Sequence, residues 1–306
     1  MKRILALIFT ACIVFSGCLT KTEYTATEFL MDTVCTITTD SELHAINAFA
    51  EIHKLAEETD YFSDTSLVSK LNLAKADEPV RLSERVFYMT QKAIEMYGAT
   101  NGAFDITTAP LKDVWGFEKG DHAPPSSAEI SEALRFTTSR FLRLNEKNKT
   151  IVKRYDNVKI DLGAVAKGCA VDAAAKILKN SGAKFGLINF GGAVYAFGKN
   201  PNRADGKWEI GIADPNGDGY ITTVTIEEGA VVTSGNYQRY FEWEGKKYHH
   251  IIDPKDGYPA DNGLSSVTIV GDSALVADCL ATAGMILDKD EAEALAKRYN
   301  MEFIGF

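Results

Sequence analysis

The chain has 306 residues, of which 33 are Lys or Arg and 42 are Asp or Glu, so its net charge is −9. Such an acidic chain is a poor binder of nucleic acid, because phosphate backbones repel it. Apolar residues make up 45% of the chain and no low-complexity linker interrupts it, which predicts one compact unit or two closely joined lobes with a large core.

The first seventeen residues have the pattern of an export signal. Two basic residues precede the apolar run 4–15, which is too short to span a bilayer, and a Ser-Gly pair then leads to Cys18. This ending is typical of a bacterial lipoprotein, in which the cysteine is lipidated and becomes the N-terminus. The alternatives are a plain secretory signal and an uncleaved anchor. We predict a signal peptide over 1–17, a tether over 18–27 and one domain over 28–306.

The N-terminal half of the domain reads as one strand followed by helices. The predicted segments are a strand at 28–39, helices at 41–59, 66–72 and 83–97, a turn-rich or ligand-lining stretch at 98–120, and a helix at 127–137. Three further cysteines, Cys35, Cys169 and Cys279, are scattered among apolar or small neighbours. They are predicted to be core residues and not a disulfide framework or a zinc site.

The C-terminal half is predicted to be richer in strands. A strand at 149–162 leads into a helix that ends before Gly182, and further strands are predicted at 185–189, 194–199, 208–214, 220–227, 230–233, 240–244 and 266–270. Helices at 272–287 and 289–299 and a strand at 301–306 complete the chain. Helices and strands are mixed without a regular βαβ rhythm, which favours an α+β sandwich over a doubly wound sheet.

The octapeptide 161–168 is the most informative stretch. Asp161, a glycine and Lys167 fall where the predicted strand turns into the helix. Unpaired N–H groups and the positive end of the dipole at a helix start attract anions, and the lysine adds a full charge. The segment is therefore either a site that holds a phosphate beside a metal or an ordinary turn with a solvated lysine.

Two other segments carry candidate chemistry. Asp278 and Thr282 are four residues apart on a predicted helix, so their oxygens share one face and suit a hard cation such as Mg²⁺; the alternative is an ordinary surface aspartate and a threonine bonded to its own helix. His249 and His250 would point to opposite sides of an extended chain, so at most one faces a given site, where it could act as a base near neutral pH. A hairpin with two surface histidines is the alternative.

These pieces together resemble the ApbE family of flavin transferases, the FAD:protein FMN transferases. The resemblance rests on segments in the family's order that cover nearly the whole predicted domain: 31–33, 102–105, 161–168 with Asp172, 189–192, 233–235 with Tyr237, 250–257 and 278–282. It implies a Mg²⁺-dependent enzyme on the outer face of the cytoplasmic membrane, or the periplasmic side, that is held there by a lipid anchor. Such an enzyme splits FAD, attaches FMN to a threonine of an acceptor protein and releases AMP. The acceptor is typically a subunit of a membrane redox complex.

Mapped onto this chain, the resemblance implies a metal held by Asp278, Thr282 and the backbone carbonyl of Ala164. The residues that it implies for the FAD site are Met31, Phe62, Ser63, Asp64, Ala103, Phe104, Asp105, Asp161, Lys167, His250 and Ile251. The implied catalytic groups are Lys167, Asp278 and His250, with His250 as the candidate base and Asp253 as the alternative. Asp32 departs from the family's frequent glycine.

Two other functions fit the same residues. One is a Mg²⁺-dependent FAD pyrophosphatase, in which water replaces the acceptor threonine and the products are FMN and AMP. The other is a lipoprotein that only binds or stores flavin, or a solute-binding protein with the same pocket. Simple storage does not require a metal at the pyrophosphate, so Asp278 and Thr282 favour the enzymes.

Overall fold

The structure, a computed structural model, describes residues 23–117 and 123–306. The predicted signal peptide, Cys18 and the first part of the predicted tether lie outside these residues. No helix in the described part of the chain is long and apolar enough to cross a membrane.

The helices follow the predicted pattern closely. They are α1 (Glu42–Thr59), α2 (Leu67–Leu73), α3 (Glu84–Ala99), α4 (Ala109–Trp115), α5 (Ser127–Leu134), α6 (Gly163–Asn180), α7 (Ala274–Gly284) and α8 (Lys289–Arg298). Serines cap α1, α2 and α3 by accepting a hydrogen bond from the backbone three residues on. Helix α4 lies in the stretch predicted to be turn-rich. Pro110 in its first turn and Gly116, left-handed at its end, are the local signals for it.

The strands of the described residues form one large antiparallel sheet and three small ones. They are β1 (Tyr24–Leu30), β2 (Thr33–Thr39), β3 (Val80–Arg81), β4 (Leu142–Asn145), β5 (Thr150–Lys153), β6 (Phe185–Phe190), β7 (Ala193–Gly198), β8 (Trp208–Ala213), β9 (Tyr220–Ile226), β10 (Gly229–Gly235), β11 (Tyr240–Trp243), β12 (Lys246–His249), β13 (Ser266–Gly271) and β14 (Glu302–Gly305). The large sheet has the order β1-β2-β6-β7-β10-β13-β14. The predicted α+β class is confirmed.

The main core lies between this sheet and the helices. Helix α6 packs against both α1 and α7, and all three helices pack against the sheet. The β8–β9 hairpin covers part of the opposite face of the sheet through a smaller apolar cluster around Trp208 and Val194. Cys35, Cys169 and Cys279 are buried thiols without disulfide partners, as predicted for core residues.

The predicted strand at 28–39 is wrong in one respect, because the structure has a hairpin there. β1 and β2 pair from Tyr24 opposite Thr39 to Leu30 opposite Thr33, so residues 24–27 of the predicted tether belong to β1. Met31 and Asp32 form the two-residue turn with φ of 47° and 58°. Both central residues of such a turn need positive φ, which explains why glycine is suited to the position of Asp32.

The predicted strand at 149–162 is also wrong beyond Lys153. Val158, Ile160 and Leu162 are buried in strand-like alternation, but side chains replace a neighbouring strand. The amide of Asn72 donates to the carbonyl of Ile160 at 2.9 Å and accepts from its N–H at 2.8 Å. The ammonium of Lys153 donates to the carbonyl of Val158 at 3.0 Å. These bonds hold the segment that leads into α6.

Candidate active site

A cavity of about 1020 Å³ opens where the tip of the β1–β2 hairpin, the second half of α4, the start of α6, and α7 meet. Its volume suits a dinucleotide. The predicted site residues that line it are Met31, Phe62, Ala103, Phe104, Asp105, Asp161, Ala164, Lys167, His250, Ile251, Asp278 and Thr282. Ser63 and Asp64 follow Phe62 but are not among the lining residues, and the Ser63 hydroxyl lies 3.1 Å from that of Thr65.

Asp278 is the buried acid of the cavity. Its side chain is 3% exposed, and burial raises the pKa of its carboxyl although the charge of Lys167 acts in the opposite direction. Within the described part of the chain one hydrogen bond reaches it, from the backbone N–H of Gly168 to Oδ2 at 2.9 Å. One turn later on α7, the hydroxyl of Thr282 lies 3.4 Å from that of Ser234.

The bond to Asp278 also bears on Ala164. In a regular helix the N–H of Gly168 bonds to the carbonyl four residues earlier, which is that of Ala164. This N–H has one hydrogen, so its bond to Asp278 is shared with, or replaces, the helical bond. The carbonyl of Ala164 is therefore at least partly available to another partner, and Ala164 itself lines the cavity.

Gly168 sets the distance between α6 and α7. A Cβ at this position would lie 2.3 Å from the carbonyl oxygen of Ala274 and 2.8 Å from Cβ of Asp278, closer than atoms approach in proteins. The absence of a side chain therefore brings Asp278 to the backbone of α6.

Asp161 is held by a lysine that the sequence analysis missed. Lys112 lies 2.6 Å from Oδ2 of Asp161, and the N–H of Gly163 donates to Oδ1 at 2.7 Å. Burial raises the pKa of this carboxyl, but Lys112 and the hydrogen bonds outweigh it and hold the pKa below its usual value. Asp161 is therefore ionised at neutral pH. Lys112 lies on α4, and without that helix its orientation could not be predicted.

Lys167 is the less constrained cation of the cavity. It is half-buried in the first turns of α6, and its ammonium lies 3.4 Å from the carbonyl of Gly163. No carboxylate in the described residues lies within salt-bridge distance of it. Its charge is thus available to an anion at the positive end of α6.

The carboxylate of Asp105 is occupied by hydrogen bonds from the protein and is not available to a ligand. Its carboxylate accepts hydrogen bonds from the N–H and hydroxyl of Thr107 and from the N–H and hydroxyl of Ser139, at 2.6–3.1 Å. Its carboxylate therefore fixes the loop that carries Ala103 and Phe104, and burial raises its pKa.

The two adjacent histidines point in different directions, as predicted. His249 lies 2.7 Å from the carbonyl of Ala260 and does not line the cavity. His250 lines it, with Nδ1 3.2 Å from the carbonyl of Arg239. A carbonyl only accepts, so Nδ1 carries the proton and Nε2 is left as an acceptor. Burial and the charges of Lys112, Lys167 and Arg239 lower the pKa of His250 to about 3, so it is neutral at neutral pH.

Asp253, the alternative base, is not among the lining residues. Its carboxylate accepts from the N–H of Lys255 at 2.8 Å and so stabilises the turn after the histidines. Further missed residues line the cavity: the hydroxyl of Tyr61 donates to Asp113 at 2.9 Å, and Arg239 lies 3.5 Å from Asp32. These residues come from distant segments, so their proximity has no local sequence signal.

The described residues contain no group of three or more His, Cys, Asp or Glu side chains placed to hold a metal ion. The oxygen atoms of Asp278, Thr282 and Ala164 do not suit zinc or copper, which prefer nitrogen and sulfur ligands. One carboxylate with hydroxyl and carbonyl oxygens suits Mg²⁺, which keeps several waters and takes few protein ligands.

Comparison with known proteins decides the family. The profile of the ApbE family matches residues 31–304. The chain belongs to the ApbE family. An FAD:protein FMN transferase of Vibrio cholerae is 34% identical over 256 residues, covering 81% of this chain and 75% of the relative. One of Klebsiella pneumoniae is 35% identical over 243 residues, covering 78% and 74%.

Solved ApbE structures share the fold over nearly the whole chain. A crystal structure of the ApbE protein of Thermotoga maritima has a TM-score of 0.86 at 32% identity and covers 92% of this chain and 94% of its own. The flavin transferase ApbE of Vibrio cholerae has a TM-score of 0.81 at 26% identity and covers 93% and 96%. The ApbE fold thus accounts for the way in which segments far apart in the sequence meet at one cavity.

Proposed function

We propose that this chain, an FAD:protein FMN transferase, moves FMN from FAD to a threonine hydroxyl of an acceptor protein through a phosphoester bond and releases AMP. The transferase activity rests on the family and its curated relatives. The observation that supports the finer chemistry is that two groups with spare capacity line one cavity. Asp278 is a buried carboxylate that accepts one hydrogen bond, and Lys167 has no salt bridge within the described chain.

The residues around Asp278 fit Mg²⁺. A buried carboxylate with spare lone pairs is costly unless a cation or further donors satisfy it. Asp278, Thr282 and the carbonyl of Ala164 would hold the metal, all three on lining residues. A bound Mg²⁺ would supply charge neutralisation for pyrophosphate oxygens during phosphoryl transfer.

The protein's own groups bind and orient the pyrophosphate. The N-terminal end of α6 and the ammonium of Lys167 attract it, because dipole and charge have the same sign there. Lys112 is already paired with Asp161 at 2.6 Å. This ion pair therefore stabilises the first turn of α6 and does not neutralise the charge of the substrate. Positioning of this kind is the main requirement of phosphoryl transfer.

His250 is the group that receives the proton. The acceptor threonine oxygen forms a bond to the phosphorus of the FMN half, the bond to the AMP oxygen breaks, and the hydroxyl proton passes to Nε2 of His250. The pKa of about 3 makes this imidazole a weak base, and burial is the largest cause of the lowering. A bound pyrophosphate would offset the charges of Lys112, Lys167 and Arg239, and so would raise the pKa by the part that these charges contribute.

Location is a separate part of the proposal. We infer that Cys18 is lipidated and anchors the chain on the outer face of the cytoplasmic membrane, beside an acceptor in a membrane redox complex. Mass spectrometry of the membrane-extracted chain should find a lipid on an N-terminal Cys18, and Cys18→Ala should release the folded domain from membranes. An unmodified Cys18 would contradict this part without affecting the chemistry.

The transfer is tested by incubating the purified chain with FAD, Mg²⁺ and purified subunits of membrane redox complexes. Transfer predicts that one subunit gains the mass of FMN on a threonine while AMP appears in equal amount. AMP and FMN without an adduct would instead support a pyrophosphatase in which water is the acceptor. FAD binding without any product would support flavin storage.

A further inference from the structure

We propose that the uncovered outer face of the β1–β2 hairpin is the docking surface for the acceptor protein. This proposal rests on the transferase function, because transfer requires a second protein to bring a hydroxyl into the cavity. The surface consists of three cross-strand pairs: Thr25 with Thr38, Thr27 with Thr36, and Phe29 with Val34. We call it the hairpin face.

The register shows that the hairpin face continues a covered surface. Thr36 lies opposite Asn189 on β6, and Asn189 lies opposite Val194 on β7. Directly opposed residues of neighbouring antiparallel strands share a face of the sheet. Val194 is 8% exposed because the β8–β9 hairpin packs over it. The same face is therefore covered at Val194 on β7 and uncovered from Asn189, which is exposed, across β2 to β1.

Four of the six side chains on the hairpin face are exposed, Thr36 and Thr38 are half-buried, and none is charged. Phe29 is 70% exposed and Val34 is 53% exposed, and Thr25 and Thr27 are exposed as well. The threonine hydroxyls bond to one another, with Thr25 to Thr38 at 2.9 Å and Thr27 to Thr36 at 3.0 Å. No charged side chain belongs to this face, although a quarter of the chain is charged. A partner can therefore cover it without desolvating an ion.

The hairpin face leads directly to the mouth of the cavity. Phe29 belongs both to this face and to the cavity lining. The turn residues Met31 and Asp32 also line the cavity. From Thr25 to Phe29 the strand extends about 13 Å away from the mouth. A protein whose threonine enters the cavity must cover its rim, and Phe29 joins the hairpin face to that rim without a charged side chain on the face. This continuity favours the acceptor over a second copy of the chain.

The partner's chemistry follows from the face. Its segment next to the target threonine should present small or apolar side chains to Phe29 and Val34 and hydroxyl-compatible groups to the threonine pairs. A lysine introduced on the face would be buried without a partner when the acceptor docks.

The test measures acceptor use and FAD binding separately in Val34→Lys and Thr27→Lys. Neither residue lines the cavity. Thr222→Lys is the matched control, because Thr222 is an exposed strand threonine on β9. The probe is the subunit that the wild-type chain labels with FMN. We expect KM for this subunit to rise about tenfold in both variants, with an unchanged Kd for FAD and an unaffected control.

Equal KM values in the variants and the wild type would overturn the docking surface while leaving the transferase function intact. A wild-type chain that labels no subunit would contradict the function itself, and the docking surface with it. If the lysine variants do not fold, a photo-crosslinking residue at Val34 replaces them. The same residue at Thr222 serves as the control. Crosslinks from position 34 to the subunit support the proposal. Crosslinks from position 34 to a second copy of the chain, or crosslinks to the subunit from position 222 alone, refute it.

Discussion

The contact between α6 and α7 contains two carboxylates with different hydrogen bonding, the half-buried Asp172 and the buried Asp278. Asp172 on α6 accepts from the hydroxyl of Ser273 and the N–H groups of Ala274 and Leu275, at 2.8–3.0 Å, and so caps the start of α7. Asp278 on α7 accepts from the N–H of Gly168 on α6 and from no other group in the described chain. Burial raises the pKa of both carboxyls.

The difference lies in the hydrogen bonds that remain unmade. A carboxylate has about four lone-pair sites, and three donors to Asp172 leave little for a ligand. Asp278 has most of its sites left and faces the cavity, where Lys167 also lies. The direction of the pKa shift does not distinguish the acid that caps α7 from the acid proposed to hold the metal, whereas the count of donors does.

The largest expected effect separates these two acids by activity. Asp278→Asn should lower transfer by on the order of a thousandfold, because under the proposed function it removes the charge that would hold Mg²⁺ at the pyrophosphate. Asp172→Asn should retain the wild-type rate per folded molecule, with its cost appearing as lost stability. Initial rates of AMP release, corrected for the folded fraction, measure both. Equal losses in the two variants would break the comparison.

The second prediction concerns the spacing between the helices. Gly168→Ala should destabilise the fold by about 2 kcal/mol, because its Cβ would overlap the carbonyl of Ala274. Gly98→Ala is the matched control in α3, since a Cβ there meets nothing within 4 Å. This control should stabilise by about 0.5–1 kcal/mol. Urea denaturation measures both, and a neutral Gly168→Ala would contradict the close contact.

The third prediction compares the lysines near the two acids by their effect on FAD affinity. Lys167→Met should raise the Kd for FAD about tenfold, because the pyrophosphate loses an ammonium that has no salt bridge in the described chain. Lys179, near Asp172, is instead paired with Glu228. Lys179→Met should leave FAD affinity unchanged. Titration by flavin fluorescence compares the two variants, and matching affinities would remove Lys167 from the site.

The smallest expected effect is the pH dependence of stability at His250. Its pKa is about 3 in the folded chain, against an ordinary value near 6.5. Between these values the unfolded chain binds a proton there and the folded chain does not, so stability falls as pH is lowered. In His250→Asn the free energy of unfolding should fall less steeply between pH 7 and 4.5, with a slope that corresponds to up to one proton fewer. Urea unfolding measures this slope. An unchanged slope would show that His250 is not buried as a neutral group.

Much of the fold was predictable because its signals are local. Serine caps mark the starts of α1, α2 and α3, and the mixed order of elements predicts the α+β class. The sequence could not show that the strand predicted at 149–162 ends at Lys153. Its apolar alternation is real, but Asn72 and Lys153 take the place of a partner strand, and such contacts leave no local pattern.

The site was predictable in a similar way. Asp161, Lys167, Asp278 and Thr282 come from motifs with chemical meaning, and the cavity brings them together. The sequence could not reveal that Ser139 bonds to Asp105 or that Lys112 pairs with Asp161, because both contacts depend on packing between distant segments. Placing Ser63 and Asp64 in the site remains a prediction from family resemblance.

Binding of Mn²⁺ as a spin-active substitute for Mg²⁺ tests the central claim most directly. Electron paramagnetic resonance would count the bound ions in the wild type, Asp278→Asn and Asp172→Asn, each with FAD present. The wild type and Asp172→Asn should bind Mn²⁺ in the FAD complex, and Asp278→Asn should lose this ion. Retention of the ion in Asp278→Asn with wild-type affinity would contradict the assignment of Asp278 as the metal-binding acid.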